Sequence, residues 1–235
     1  MAKLKWDETG KRLYENGTSH GVLYTMEESG KYGAGAAWNG LTSVKQSPDG
    51  AEESPIYANN HKYISMMSAE NFKGTIEAYT YPDEFMACDG SKEIGKGVYA
   101  GQQARKSFGL SYSTIVGNDV QGDDYGEKIH LIYNAKVAPS SREYETVNDD
   151  PNAITFSWEF STTPESVSAE LEAKGIKPTS YLCIDTTKAD ESAVKKLKAK
   201  LYGDDSSGTA SLPTPDEVMK ILGATGSAGS TVEGH

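Results

Sequence analysis

The stretch EKIHLIYNAKVAPSSREYETVNDDPNAITFSWEF, from Glu127 to Phe160, determines the fold class. It contains two segments in which apolar and polar residues alternate, joined by a polar loop that contains proline. Strict alternation is typical of a β-strand with one buried and one solvated face, whereas a helix would scatter the same apolar residues around its axis. The stretch therefore predicts two long antiparallel strands of a sheet with one solvated face.

The same alternation predicts which side chains form the core. The predicted core side chains are Ile129, Leu131, Tyr133, Ile154, Phe156, Trp158 and Phe160. Ala135 and Val137 continue the apolar face of the first segment, opposite the polar residues Lys128, His130, Asn134 and Lys136. In the second segment the opposite face carries Thr155, Ser157 and Glu159.

The remainder of residues 1–203 predicts further strands of one mainly β domain. Short apolar or alternating runs indicate strands at 21–26, 32–38, 62–68, 72–81, 106–116 and 181–185, and a helical turn at 83–88. Residues 39–60 are polar and contain Pro48-Asp49-Gly50, which predicts a long loop of the kind that carries function or mobility. The glycine-rich residues 90–104 also predict a loop.

Two helices are predicted near the carboxyl end. Residues 190–202 place Val194, Leu197 and Leu201 on one face. Residues 215–222 follow Thr214 and begin with proline, a capping-box pattern. Because residues 204–213 read as a linker and the chain after Gly223 is rich in Gly, Ser and Thr, we expect a flexible extension at 204–235. Its short helix would dock on the domain or on a neighbour.

Composition excludes several classes of function. The net charge of −11 disfavours sequence-specific nucleic-acid binding, because phosphates would be repelled. No apolar run approaches the ~18 residues of a membrane span, and the first residues lack the apolar region of a secretory signal. The two cysteines, Cys88 and Cys183, are expected to be free thiols in a reducing compartment.

Sequence motifs give little support for catalysis. Gly90–Gly97 resembles a phosphate-binding loop, but glycine stands where the magnesium-binding Ser or Thr is required. Gly33-Ala-Gly35 lacks the rest of a dinucleotide fingerprint, and the four histidines lack metal-ligand spacing. The acidic residues 119–124 read as a solvated turn rather than a calcium loop. We expect no enzyme activity, no cofactor and no bound metal.

Five strings, in order along residues 6–186, resemble the major tail (tail tube) protein of long, non-contractile-tailed bacteriophages of Gram-positive hosts. They are GAGAAWNGLTSV (Gly33–Val44), GTIEAYTYPDEF (Gly74–Phe85), FGLSYSTIVGN (Phe108–Asn118), EKIHLIYNAKVAP (Glu127–Pro139) and AITFSWEFSTTP (Ala153–Pro164). The resemblance implies a β-sandwich whose long hairpins join across six subunits into a ring with a continuous inner β-barrel. Stacked rings form the virion tail tube that conducts DNA to the host during genome ejection.

The resemblance also implies partners and site residues. Partners would be further copies of the chain and the tape-measure, tail-tip or distal-tail and terminator proteins, with assembly in the host cytoplasm and no membrane insertion. DNA would pass without sequence-specific binding along a polar, acidic lumen face that repels phosphates. Candidate lumen residues are Thr75, Glu77, Thr155, Ser157 and Glu159, and candidate ring-to-ring contacts are Lys45, Gln46, Pro48, Asp49, Glu52 and Glu53. The N-terminal arm is a second candidate for that contact.

Three alternatives remain open at the level of sequence. The nearest is another ring-forming or decorating virion protein, such as a tail terminator or a capsid-decorating protein. A carbohydrate-binding adhesin would need exposed aromatic platforms, which Trp6, Trp38 and Trp158 are available to supply. A hydrolase on a β-scaffold would need two carboxylates that converge in a cleft.

Overall fold

A computed structural model describes residues 3–146, 153–204 and 208–223. The fold is mainly β, with a large antiparallel sheet and few helices. The strands are β1 (Leu13–Met26), β2 (Tyr32–Ala37), β3 (Leu41–Gln46), β4 (Asp49–Gly50), β5 (Glu53–Ala58), β6 (His61–Met67), β7 (Glu70–Asn71), β8 (Lys73–Ala78), β9 (Lys92–Gly95), β10 (Val98–Ala100), β11 (Phe108–Asn118), β12 (Gly122–Val137), β13 (Phe156–Thr162) and β14 (Tyr181–Asp185). The helices are α1 (Ala169–Ala173), α2 (Glu191–Tyr202) and α3 (Pro215–Ile221), with a 3-10 turn at Asp83–Ala87.

One antiparallel sheet carries most of the domain. Its strand order is β2-β1-β11-β12-β13-β8-β3, and β14 also pairs with β12. Strand β12 is central because β11 covers one of its edges, while β14 and β13 share the other. The prediction of two antiparallel strands in one sheet is confirmed, although the two strands are not each other's main partners. β12 and β13 pair over three positions, Ala135 to Val137, and each finds most of its partners elsewhere.

Both faces of β12 are buried, which corrects the prediction of a solvated face. Ile129, Leu131 and Tyr133 face a cluster that we call the helix-side core, shared with α2 and α3. Ile132 faces a second cluster, the sandwich core, shared with β8 and β13. His130, predicted to be on the wet face, is 5% exposed. A strand covered on both sides needs apolar residues at consecutive positions, and Leu131-Ile132-Tyr133 supplies them.

A β-bulge at Asn134 changes which face the end of β12 presents. The register pairs Leu110 with Ile132 but Phe108 with Ala135, so β12 contains one extra residue at this point. Asn134 has φ 48°, a left-handed conformation that asparagine adopts more readily than most residues. Because of the bulge, Ala135 and Val137 join the sandwich core, not the face of Ile129 as predicted.

The second predicted strand begins later than its alternation suggests. Trp158 and Phe160 are buried in the sandwich core, and Phe156 packs against it partly buried. Ile154, predicted to be a core residue, lies before β13 and is 39% exposed. Thr155 also precedes the strand. The ladder with β8 ends where Phe156 pairs with Ala78, so nothing holds Ile154 in the alternating pattern.

The carboxyl-terminal region is packed on the domain as far as it is described. Leu212 and Val218 are buried in the helix-side core, and the Tyr133 hydroxyl donates a hydrogen bond of 3.1 Å to the Pro213 carbonyl. The Gly35 amide donates one of 2.8 Å to the Ala210 carbonyl, which covers part of the edge of β2. The short helix therefore docks on its own domain, one of the two outcomes expected, and residues 208–214 are packed with it instead of forming a free linker. The predicted capping box of Thr214 and Glu217 is present.

Two predicted loops contain strands. Residues 41–46 form β3 of the main sheet, and residues 49–71 form a projection that we call the hairpin arm. Within the arm, β4 pairs with β7 at the base and β5 pairs with β6 beyond it. Residues 92–100 form a second small hairpin, β9–β10. Both segments were predicted to be loops because their composition is polar or glycine-rich. A hairpin that packs on little else can form from such residues, because neither of its faces has to join a core.

Replacing Trp158 by Ala should destabilise the domain by about 3–5 kcal/mol, because the indole is fully buried among Trp38, Tyr81 and Phe85. Urea unfolding followed by circular dichroism measures the change. Trp6→Ala is the control and should cost less than ~0.5 kcal/mol, since Trp6 is 75% exposed. Equal losses in the two variants would contradict the core described above.

Leu212→Ala tests whether the carboxyl-terminal region belongs to the cooperative unit. We expect a loss of about 2–5 kcal/mol in the same unfolding measurement, because Leu212 is buried in the helix-side core. If residues 208–223 were an independent extension, the midpoint of the main transition would stay at its wild-type value.

Candidate functional site

Polar side chains cover the outer surface of the β13-β8-β3 part of the sheet. Antiparallel neighbours that lie directly opposite share a face, so the ladder pairs Ser157 with Glu77, and Glu159 and Lys45 with Thr75. This polar sheet face consists of Ser43, Lys45, Lys73, Thr75, Glu77, Ser157, Glu159 and Ser161. It brings together four of the five lumen residues expected from sequence; Thr155 lies outside the ladder.

The polar sheet face is not acidic. Its two carboxylates, on Glu77 and Glu159, are matched by the ammonium groups of Lys45 and Lys73. The Ser43 hydroxyl donates a hydrogen bond of 3.1 Å to Glu77, and Lys73 forms an ion pair with Asp49 at the base of the hairpin arm. The surface is hydroxyl-rich with a balanced charge, which differs from the acidic face expected from sequence.

The six predicted ring-to-ring residues do not form one surface. Lys45 and Gln46 belong to β3, and the Gln46 amide donates a hydrogen bond of 2.7 Å to the buried Tyr112 hydroxyl. Pro48 and Asp49 lie at the base of the hairpin arm, and Glu52 and Glu53 lie at the start of its outer part. Glu53 forms an ion pair with Lys62 across the β5–β6 hairpin.

The outer part of the hairpin arm has an apolar surface with no partner in the described chain. Ile56 is opposite Ile64 and Ser54 is opposite Met66, so these side chains share one face. Ile56, Ile64 and Met66 are 45%, 51% and 58% exposed, and together they form the apolar arm face. The opposite face carries the Glu53–Lys62 ion pair and Ser65, together with Met67, which is 72% exposed. The outer part of the arm therefore exposes apolar surface that water disfavours.

A buried polar network lies where β1, β11, β12 and β14 meet. His130 Nε2 is 2.9 Å from the Thr114 hydroxyl, and His130 Nδ1 is 2.7 Å from the Tyr181 hydroxyl. Thr114 donates its single proton to Glu15 at 2.7 Å, so it must accept from Nε2. Nε2 therefore carries a proton, and in the neutral imidazole Nδ1 accepts from the Tyr181 hydroxyl.

The surroundings of His130 favour this neutral form. Burial lowers the pKa of His130, the Glu15 carboxylate acts in the opposite direction, and Lys128 lowers the pKa further. Tyr112 stacks on the ring with centroids 4.6 Å apart, and Cys183 is directly opposite His130 in the β12–β14 ladder. A second proton on Nδ1 would require the Tyr181 hydroxyl to turn from donor to acceptor.

The described residues offer little that resembles a catalytic or metal site. Residues 3–146, 153–204 and 208–223 contain no group of three or more His, Cys, Asp or Glu side chains able to hold a metal ion. In the turn 119–124, Asp119 pairs with Arg12 and accepts from the Gly10 amide, and Asp123 accepts from the Tyr14 hydroxyl. Burial raises the pKa of the free Cys183 thiol, which disfavours the reactive thiolate.

The same described ranges contain no helix long and apolar enough to cross a membrane. Residues 92–95, within the stretch that resembles a phosphate-binding loop, form strand β9 with no following helix. No protein-family model matches the chain, and no curated protein sequence is significantly similar to it.

Sequence reasoning missed the two features that the structure makes most distinctive. The apolar arm face was obscured because its residues lie in two strands separated by Asn59-Asn60, a turn in which both residues have positive φ. Asn-Asn between two β-prone runs was an available hairpin signal. The network around His130 has no signal within one segment, because its members come from four strands.

His130 predicts a specific dependence of stability on pH. Its folded-state pKa lies below the ordinary value of about 6.5, so the unfolded chain binds a proton that the folded chain does not. The free energy of unfolding should fall as the pH drops from about 7.5 to 5.5, and His130→Gln should flatten that slope. Urea midpoints at the two pH values measure it. His61→Gln, an exposed control, should keep the wild-type slope.

Proposed function

We propose that the protein is a structural subunit of a viral tail tube, which forms rings that stack around a channel for DNA. The sequence resemblance supplies the class of protein. The observation that carries the proposal is the hairpin arm, whose apolar face is exposed. A monomer gains nothing from exposing Ile56, Ile64 and Met66, whereas a subunit that meets a neighbour buries them.

The polar sheet face supports a channel-lining role. Four hydroxyl side chains, on Ser43, Thr75, Ser157 and Ser161, and two charges of each sign give a wet surface with no net attraction for phosphate. DNA that must slide past needs weak contacts rather than affinity. The overall charge of −11 adds a general repulsion that keeps the nucleic acid from binding elsewhere on the subunit.

The ends of the sheet support ring formation. Strand β3 terminates the strand order and has β8 as its one neighbour among the described residues. An unpaired strand edge is a template for pairing with another chain, and pairing around a closed ring removes such edges. The same logic applies to other ring-forming virion proteins, such as a tail terminator, and only the length of the assembly separates these roles.

The adhesin alternative loses support from the tryptophans. Trp38 is 4% exposed and Trp158 is fully buried, so neither is a platform for a sugar ring. Trp6 is exposed but lies in an N-terminal segment and not on the sheet. One aromatic side chain on such a segment lacks the shaped surface that saccharide stacking requires.

Electron microscopy of the purified chain over a concentration series tests the proposed function. We expect six-fold rings that stack, or hollow tubes, either alone or after addition of a tail-tip initiator complex. Sedimentation velocity gives the size distribution in parallel. Monomers at every concentration, with the initiator present, would overturn the proposal.

The double variant Ile64→Lys/Met66→Lys tests the apolar arm face. Two lysines there should abolish stacking, because burying unpaired charge costs more than the contact provides. The matched control is Ser65→Lys/Met67→Lys, which adds the same charge on the opposite face of the same strand. If both variants form tubes of wild-type length, the arm does not mediate stacking.

A further inference from the structure

An acidic groove lies between the 3-10 turn and the β9–β10 hairpin. It measures about 740 Å³. Met86, Ala87, Tyr99 and Ala104 give it an apolar part, and Glu28, Asp83, Glu84 and Glu93 supply carboxylates against the two ammonium groups of Lys92 and Lys106. In the described chain none of these four carboxylates has a cationic partner within 4.0 Å. The groove is therefore suited to a ligand that combines positive charge with an apolar side chain.

The N-terminal segment has this chemistry. The residues Lys3-Leu4-Lys5-Trp6 alternate, so an extended backbone places both lysines on one side and both apolar side chains on the other. Leu4 is 73% exposed and Trp6 is 75% exposed. An exposed tryptophan next to lysines is an unusual surface feature, because tryptophan is enriched where proteins bind one another.

The segment and the groove lie at opposite ends of the sheet. The segment precedes Leu13, which pairs with Asn118 at one end of β11, whereas the groove residues Ala104 and Lys106 lie just before Phe108 at the other end. The ten residue steps of β11 separate these ends by roughly 33 Å.

The segment cannot bridge this distance within one chain. Its base is fixed, since Arg12 donates a hydrogen bond of 3.0 Å to the Asp7 carbonyl and the Gly10 amide donates one of 2.9 Å to Asp119. Leu4 is three residues before Asp7 and so lies at most about 11 Å from it. Any groove that Leu4 and Trp6 reach must belong to another molecule.

We infer that residues 3–6 of one subunit dock in the acidic groove of a second copy of this chain. The contact is head to tail, because donor and acceptor occupy opposite ends of β1, and such contacts build closed rings or open stacks instead of isolated dimers. Trp6 and Leu4 cover the apolar part of the groove, and Lys3 and Lys5 approach Glu84 and Glu93, with Lys5 giving up its exposed ion pair with Glu8. This contact names both the partner and the binding site for the proposed function. The biological role of the contact rests on that proposed function.

A peptide of residues 3–12 carrying a fluorophore tests the contact directly. The receptor is the full chain with Leu4→Ser/Trp6→Ser, which leaves the groove open. Fluorescence anisotropy should show saturable binding that weakens with added salt. Glu84→Lys/Glu93→Lys in the receptor should weaken binding at least tenfold. The matched control Glu170→Lys/Glu172→Lys, which places the same charge on α1 outside the groove, should leave binding within twofold.

Circular dichroism gives the melting temperature of each receptor variant. A variant whose melting temperature equals that of the parent receptor is folded, so weaker binding by it reports a lost contact. Absence of peptide binding, or equal binding by the groove and control variants, would overturn the inference. The peptide can also be made with Leu4→Ser/Trp6→Ser. If this altered peptide binds the receptor as tightly as the original peptide does, the inference is overturned.

Mixing two full-length variants tests the head-to-tail geometry. The Leu4→Ser/Trp6→Ser chain keeps an intact acidic groove but lacks a binding-competent N-terminal segment. The Glu84→Lys/Glu93→Lys chain keeps the segment but lacks a binding-competent groove. Their mixture should give a 1:1 complex by sedimentation velocity that neither chain forms through this contact alone. Normal tubes formed by the first variant would overturn the contact and leave the tube proposal intact. If the peptide binds but the wild-type chain forms no tubes under any condition, the contact stands and the tube proposal is overturned.

Discussion

The burial of both faces of strand β12 is the constraint on which the rest of the structure depends. One strand has to supply side chains to the sandwich core and to the helix-side core, and simple alternation provides only one apolar face. The chain meets this demand with Leu131-Ile132-Tyr133 and then with the bulge at Asn134, after which Ala135 and Val137 turn to the sandwich core. The helices and β8–β13 are arranged around these two faces.

Local patterns predicted many elements correctly, missed the strands within residues 39–60 and 90–104, and predicted the neighbours of each strand poorly. The alternation in β8, the apolar face of α2 and the capping box of α3 are decided within a few residues, so the sequence predicted them correctly. The second face of β12 and the docking of Leu212 depend on which distant segment arrives to cover an apolar residue. His130 shows the limit most clearly: its alternation predicts exposure, but Tyr112 and Tyr181, from other strands, cover it.

The hairpin arm and the N-terminal segment are different from the rest of the chain because folding does not explain them. Ile64 and Trp6 contribute no burial to either core, and both are more than half exposed. Apolar residues in a folded domain usually reduce the area in contact with water, whereas these increase it. The proposed assembly gives them a physical rationale, because a neighbouring subunit would bury them.

Charge sets the conditions under which subunits meet. Two copies that each carry −11 repel one another at long range, and physiological salt limits that repulsion to about 8 Å. Lys3, and Lys5 with its exposed partner Glu8, lie at the end of the subunit opposite the acidic groove. In the proposed assembly, net repulsion opposes random aggregation, and the attraction of these lysines to the groove favours one orientation. Salt screens both the long-range repulsion and the local attraction. Added salt should therefore stabilise an assembly that depends mainly on the apolar arm face and destabilise one that depends mainly on the groove.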